Sequence, residues 1–222
     1  MAFRISLNHL PATFTRDYLL NNFHSMSEVD RDHTYFNPSS KVPTLPLPCI
    51  RECNCSNMSR SSRIDNVEGP LIDKVKQIYE KSKPLIVYSK GSGECYQELA
   101  FCVGLAEEGY EVKQIVLADT KYTTNQPDNI LLTFSTFVKL LFPNVQISVF
   151  KFEKEYFEEI KDSKQPKPDI VLCVDLPFME LQRSKDEYSA MLGSPSNECI
   201  LAYHNNVEPT YNAETFVDKI HG

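Results

Sequence analysis

Residues 83–122, KPLIVYSKGSGECYQELAFCVGLAEEGYEVKQIVLADTKY, decide the fold. Pro84 opens an apolar run, Leu85, Ile86, Val87 and Tyr88, which predicts a strand. The run stops at Ser89-Lys90-Gly91-Ser92-Gly93. A helical pattern follows, with Leu99, Cys102, Val103 and Ala106 on one face and Gly109 at the position of a C-terminal cap. A second strand is predicted over residues 112–118, ending at Asp119. A strand that runs through a glycine turn into a helix sets backbone N–H groups and the positive end of the helix dipole beside a bound acceptor. Phosphates and nucleotides are commonly held this way.

Working outward, residues 130–142 predict a strongly apolar helix closed by Pro143, and residues 145–152 a strand. Residues 153–161 predict a short charged helix, with Glu153 and Glu159 read as part of a solvated face, as are Glu107 and Glu108. The run DIVLCVD, residues 169–175, suits a central strand covered on both faces. Residues 178–192 predict a helix, residues 199–203 a strand ending at His204-Asn205-Asn206, and residues 213–220 a closing helix. On the other side, Leu71, Val75, Ile78 and Tyr79 form one helical face ahead of the first strand. Such alternation predicts an α/β fold, a three-layer Rossmann-like sandwich on a mostly parallel sheet of at least five strands. Ligands of such sheets bind outside the carboxyl ends of the strands.

The Rossmann-like domain is expected over residues 67–222. Residues 1–66 read as an irregular N-terminal extension, a lid or partner-binding segment, with Pro38, Pro43, Pro46 and Pro48 in it. Within it residues 14–23 predict a short helix with Thr15 as N-cap and Tyr18, Leu19 and Phe23 as its apolar side. The aromatics Phe3, Phe14, Tyr18, Phe23, Tyr35 and Phe36 favour a segment laid on the domain, since disordered segments are poor in such residues.

Composition narrows the function classes. The 222 residues suffice for a sizeable core, and 41% hydrophobic with 24% charged residues is ordinary for a globular chain. A net charge of −7 counts against general nucleic-acid binding, which needs a positive field. No apolar run nears the ~20 residues of a membrane span and no secretory signal is read, so the expected location is the cytoplasm. Seven cysteines are present, and Cys95, Cys102, Cys173 and Cys199 fall in predicted core segments as buried small hydrophobes of a reducing compartment.

At Gly91-Ser92-Gly93, at Asp119 and at residues 169–177, DIVLCVDLP, the chain resembles class I S-adenosylmethionine-dependent methyltransferases, and Rossmann-like nucleotide-binding domains more broadly. The resemblance covers roughly residues 84–203. It implies that Ser89, Gly91, Ser92 and Gly93 cradle an adenosine-containing cofactor, S-adenosylmethionine first, and that Asp119 accepts from its ribose hydroxyls. It implies that Asp175 faces the substrate. The chain departs from that pattern in three places. Ser89 stands where the family has an acid, Cys95 where it commonly has a third glycine, and Lys90 adds a charge suited to phosphate.

Other chemistries are visible. Cys95 at a helix start, with His204 as base and Asn205, Asp175 or Asp119 to orient it, would suit a cysteine hydrolase or transglutaminase-like enzyme, since a helix dipole favours the thiolate. Of the glycines two positions either side of the serine in a nucleophile elbow, Ser89 lacks the first, having Val87 and Gly91, and Ser92 lacks both. Cys49, Cys53 and Cys55 have spacing partly within the zinc range but no clear second pair, and no metal is expected.

The leading expectation is a small-molecule transferase, methyltransferase-like, with Asp175 and His204 near the reacting groups. Methyl transfer needs chiefly positioning and at times a base. The competing expectations are an inactive Rossmann-like module that docks a protein partner through residues 1–66, and the Cys95–His204 hydrolase. No membrane partner is expected.

Overall fold

The structure, a computed structural model, describes residues 15–23, 68–93, 95–122, 129–162, 164–176, 188, 199–205 and 214–220. These form α1 (Arg16–Asn22), α2 (Gly69–Ile78), β1 (Leu85–Lys90), α3 (Tyr96–Glu107), β2 (Val112–Ala118), α4 (Asn129–Leu141), β3 (Gln146–Phe150), α5 (Glu153–Lys161), β4 (Ile170–Leu176), β5 (Cys199–Asn205) and β6 (Glu214–Ile220). The strand order is β3-β2-β1-β4-β5-β6. The first five run parallel, and β6 pairs antiparallel with β5, from Cys199 opposite Ile220 to Asn205 opposite Glu214. This is an α/β, Rossmann-like sandwich.

β6 corrects the closing helix expected over residues 213–220. Eight residues with scattered apolar positions do not separate a helical period from a strand period. The open edge of β5 decides the matter by offering unpaired backbone groups.

The central strands are apolar on both faces because both are covered. One face packs Leu85, Val87, Ile115, Leu117, Ile170 and Leu172 against α1 to α4. The other packs Tyr88, Val116, Val171 and Cys173 against Tyr156 and Ile160 of α5 and against Tyr188. α3 is buried almost all round, so its polar Gln97 and Glu98 lie inside with the apolar residues. Gly104 lets α2 approach it: a Cβ there would sit 3.1 Å from Ile72. Cys95, Cys102, Cys173 and Cys199 are buried and unbridged. Burial pushes the thiols of Cys173 and Cys199 up to about 12.

α1 joins this core. Thr15 accepts the Tyr18 N–H as N-cap, and Leu19 and Phe23 are buried. The Arg16 guanidinium donates to the Leu141 carbonyl at 3.3 Å and the Ala106 carbonyl at 3.4 Å. It thereby caps the carboxyl ends of α4 and α3 together, where a cation also meets two helix dipoles.

Candidate functional site

Side chains alternate across β1, and this splits the carboxyl end of the sheet into two environments. Ser89 points to the α3 face, where its hydroxyl donates to Glu98 Oε1 at 2.5 Å. Tyr88 and Lys90 serve the α5 face. Lys90 Nζ lies 2.8 Å from Glu153 Oε2. The hydroxyls of Tyr88 and Tyr188 both donate to Glu153 Oε1. Burial holds both phenols well above the usual tyrosine range, so they remain donors. The rings pack in one cluster, with Tyr88 and Tyr156 stacked nearly parallel, centroids 4.7 Å apart. Glu153 is therefore not on a solvated face, as its charge run suggests, but is bound at the start of α5.

Between these environments lies the glycine turn. Gly91 has φ +68° and Gly93 φ +46°, left-handed values that favour glycine. Cys95, at the α3 N-cap, has φ +59°. The residue standing in place of a third glycine thus keeps a glycine-like backbone, at a cost of roughly 1–2 kcal/mol for a side chain in that region. The Gly91 N–H donates to the Ala118 carbonyl at 2.8 Å, tying the turn to β2.

Asp119 reaches the turn from the end of β2. Its Oδ2 accepts the Gly93 N–H at 2.9 Å, and its Oδ1 accepts the Lys121 N–H at 2.8 Å. The Asp119 N–H donates to the Phe150 carbonyl, which sets β3 alongside. A carboxylate offers about four acceptor positions, so two remain. Asp119 is partly exposed, and among the described residues no cation lies within ion-pair distance of it. Two residues past the end of β3, Phe152 is half exposed, with Lys151 Nζ 5.4 Å from its ring centre.

Tyr122 closes the underside of the turn. Its hydroxyl donates to the Gly93 carbonyl at 3.1 Å and lies 2.8 Å from Ser92 Oγ and 3.2 Å from Cys95 Sγ. A phenol has one proton and a carbonyl can only accept. The arrangement that satisfies all three contacts has Ser92 and Cys95 donating to the Tyr122 oxygen. Burial drives the Tyr122 phenol far above its ordinary range, which keeps that proton in place. Cys95 is fully buried.

Of the residues expected at the site, Gly91, Ser92, Gly93, Cys95 and Asp119 come together within this hydrogen-bonded turn. Ser89 turns away to Glu98. Asp175 lies in β4, the neighbour of β1, and His204 in β5, one strand further out, where it pairs with Thr215. The side chains of Asp175 and His204 lie outside the described residues, as do Cys49, Cys53 and Cys55. Among the described residues no group of His, Cys, Asp and Glu has a metal-binding arrangement. Sequence reasoning missed the roles of Glu98 and Tyr122. An acid three residues after Cys95 and a tyrosine three after Asp119 are spacings with no local signature.

No family model matches this chain, and no curated protein matches it. Among solved structures it is similar to Escherichia coli MccB crystallised with MccA-N7isoASN, at TM-score 0.35 and 14% identity over 60% of this chain and 38% of that one. A second MccB structure, with succinimide, gives TM-score 0.36 and 13% identity over 67% of this chain and 46% of that one. The chain spans less than half the length of MccB. No helix among the described residues is long and apolar enough to cross a membrane.

Proposed function

We propose that this protein binds an adenosine-containing small molecule at the Gly91–Gly93 turn and acts as a transferase of the methyltransferase-like kind, with S-adenosylmethionine as the cofactor. The observation that carries this reading is the bond from the Gly93 N–H to Asp119 Oδ2. It brings the turn after β1 and the acid after β2 to one place, at the point where strand order reverses between β1 and β4. A crevice opens at such a reversal, and ligands of open α/β sheets occupy it. Asp119 has acceptor capacity left for two ribose hydroxyls. Phe152, just past β3, offers a half-exposed apolar ring for a base. Asp175 and His204, in β4 and β5 on the other side of β1, are the residues this reading assigns to the substrate side. In this reading Cys95 shapes the turn and is no nucleophile, because its sulfur is sealed beneath Tyr122.

The test is calorimetry with S-adenosylmethionine, S-adenosylhomocysteine, NAD and ATP. Micromolar binding of the first two, lost in Asp119→Ala, supports the reading. Binding of NAD or ATP alone keeps the site and replaces the chemistry. A second reading, a protein-docking module that has lost its ligand, draws on Tyr122, whose hydroxyl already engages Ser92, Gly93 and Cys95. It is the outcome if none of the four binds, and a partner pull-down with and without residues 1–66 is then its test.

A further inference from the structure

Lys90 directly precedes Gly91 and is the residue that would give the glycine turn affinity for phosphate. We propose that Glu153 is a specificity-determining residue of this site, cancelling the charge of Lys90 so that phosphate-bearing ligands are rejected in favour of phosphate-free nucleosides. This rests on the cofactor reading above and says which class of adenosine compound the site takes.

Three observations converge on it. Lys90 Nζ and Glu153 Oε2 are 2.8 Å apart, with 17% and 16% of the two side chains exposed. That burial shields the pair from the screening that weakens surface ion pairs. Glu153 is fixed from its other oxygen by Tyr88 and Tyr188, and it stands in the first turn of α5, where a helix dipole favours a carboxylate. Two carboxylates, Asp119 and Glu98, stand at the turn and the helix start that follows it. Asp119 accepts the Gly93 N–H, so that donor faces a carboxylate rather than a ligand anion. Glu98 is buried in the first turn of α3, the helix whose N-terminus would otherwise attract phosphate. A phosphate brought to the turn meets the Asp119 carboxylate, with Lys90, the lysine that leads into Gly91, already paired. Ribose hydroxyls, which can donate, and a cationic centre meet a favourable field.

The experiment compares Kd values for adenosine and ADP in wild type, Glu153→Gln and the double variant Glu153→Gln/Lys90→Met. Glutamine keeps a carbonyl acceptor for the two tyrosines and removes the charge. Wild type is expected to bind adenosine at least as tightly as ADP. In Glu153→Gln the affinity ratio shifts toward ADP by about tenfold or more, one electrostatic contact's worth, and adding Lys90→Met reverses that shift. Adenosine binding in wild type with an unchanged ratio in Glu153→Gln overturns the role of Glu153 alone. So does a shift that persists without Lys90. No adenosine binding to wild type overturns the cofactor reading and this inference with it. The wild-type ratio needs no variant to fold: a preference for ADP of about tenfold overturns the proposal directly.

Discussion

Asp169 and Asp119 occupy opposite ends of the sheet and make nearly the same bonds, yet they are built for different ends. Asp169, ahead of β4, accepts the Ile86 N–H on Oδ2 at 2.8 Å and pairs with Lys83 on Oδ1 at 2.6 Å. Its own N–H returns to the Ile86 carbonyl, and its carbonyl accepts the Tyr79 hydroxyl. It is nearly enclosed, at 13% exposed, and its charge is met by Lys83. Asp119, after β2, takes two backbone N–H groups where Asp169 takes one and a lysine; it holds a loop instead of a strand, stays partly exposed and has no ion-pair partner among the described residues. The staple at the amino end has its charge met by Lys83 and is nearly shut away from solvent. A carboxylate at the carboxyl end keeps its charge and spare lone pairs, which is what recognition of hydroxyl donors requires.

The largest expected effect tests the sealed interior on which both ends rest. Tyr88, Tyr122, Tyr156 and Tyr188 all have phenols raised by burial. A raised folded-state value means that the native state favours the neutral phenol. Stability is therefore full below the unfolded tyrosine value of about 10 and falls as pH rises above it. Tyrosinate absorbance and circular dichroism followed together should change in one cooperative step above about pH 10. Free titration of these phenols in a protein that stays folded would show the interior to be open.

Asp169→Ala comes next. It strands the Ile86 N–H and removes an ion pair that solvent already weakens, since the Lys83 side chain is 49% exposed. The expected loss is about 2 kcal/mol in urea unfolding, mostly from the unsatisfied donor. Adenosine-compound affinity should stay where it was. Affinity falling in step with stability would mean that the two ends are one unit, and the comparison would collapse.

Asp119→Ala should cost less stability, about 1 kcal/mol, because the turn can recover water at a partly exposed site. Its ligand affinity should fall by about tenfold or more. A stability loss matching that of Asp169→Ala, with affinity untouched, would make Asp119 a second staple.

Cys95→Gly is the smallest change. Glycine relieves the left-handed strain but gives up the buried sulfur against Tyr122, so the net is expected within about 1 kcal/mol of wild type. Cys95→Val should do worse, since a β-branched residue resists positive φ. A loss well above 2 kcal/mol in Cys95→Gly would give the thiol a larger part in the turn than filling space.

Much of the fold could be read from the chain because it depends on local period. Apolar runs bounded by turn residues locate β1, β2 and β4, and the pattern Thr15, Tyr18, Leu19, Phe23 locates α1 with its cap. Arg16 could not be read so, because its two acceptors lie 90 and 125 residues away. β6 failed for the same reason: its strand state comes from the edge of β5. At the site, the glycines and Asp119 carry a recognisable spacing. The Tyr122 hydroxyl under the turn and the hold of Glu153 on Lys90 exist only once β2, β3 and α5 are packed beside β1. The substitution of cysteine for a third glycine looked like a departure from the pattern, yet the backbone at Cys95 still adopts positive φ.

The most direct measurement is the affinity of S-adenosylhomocysteine for wild type and Asp119→Asn. Asparagine keeps an oxygen for the Gly93 N–H, so the turn should survive with its melting temperature nearly unchanged, while the charge facing the ribose is gone. Micromolar binding to wild type, weakened about tenfold or more in Asp119→Asn, is the result expected if Asp119 is a ligand-facing acid. Equal affinity in the two proteins, or none in wild type, would contradict the cofactor site.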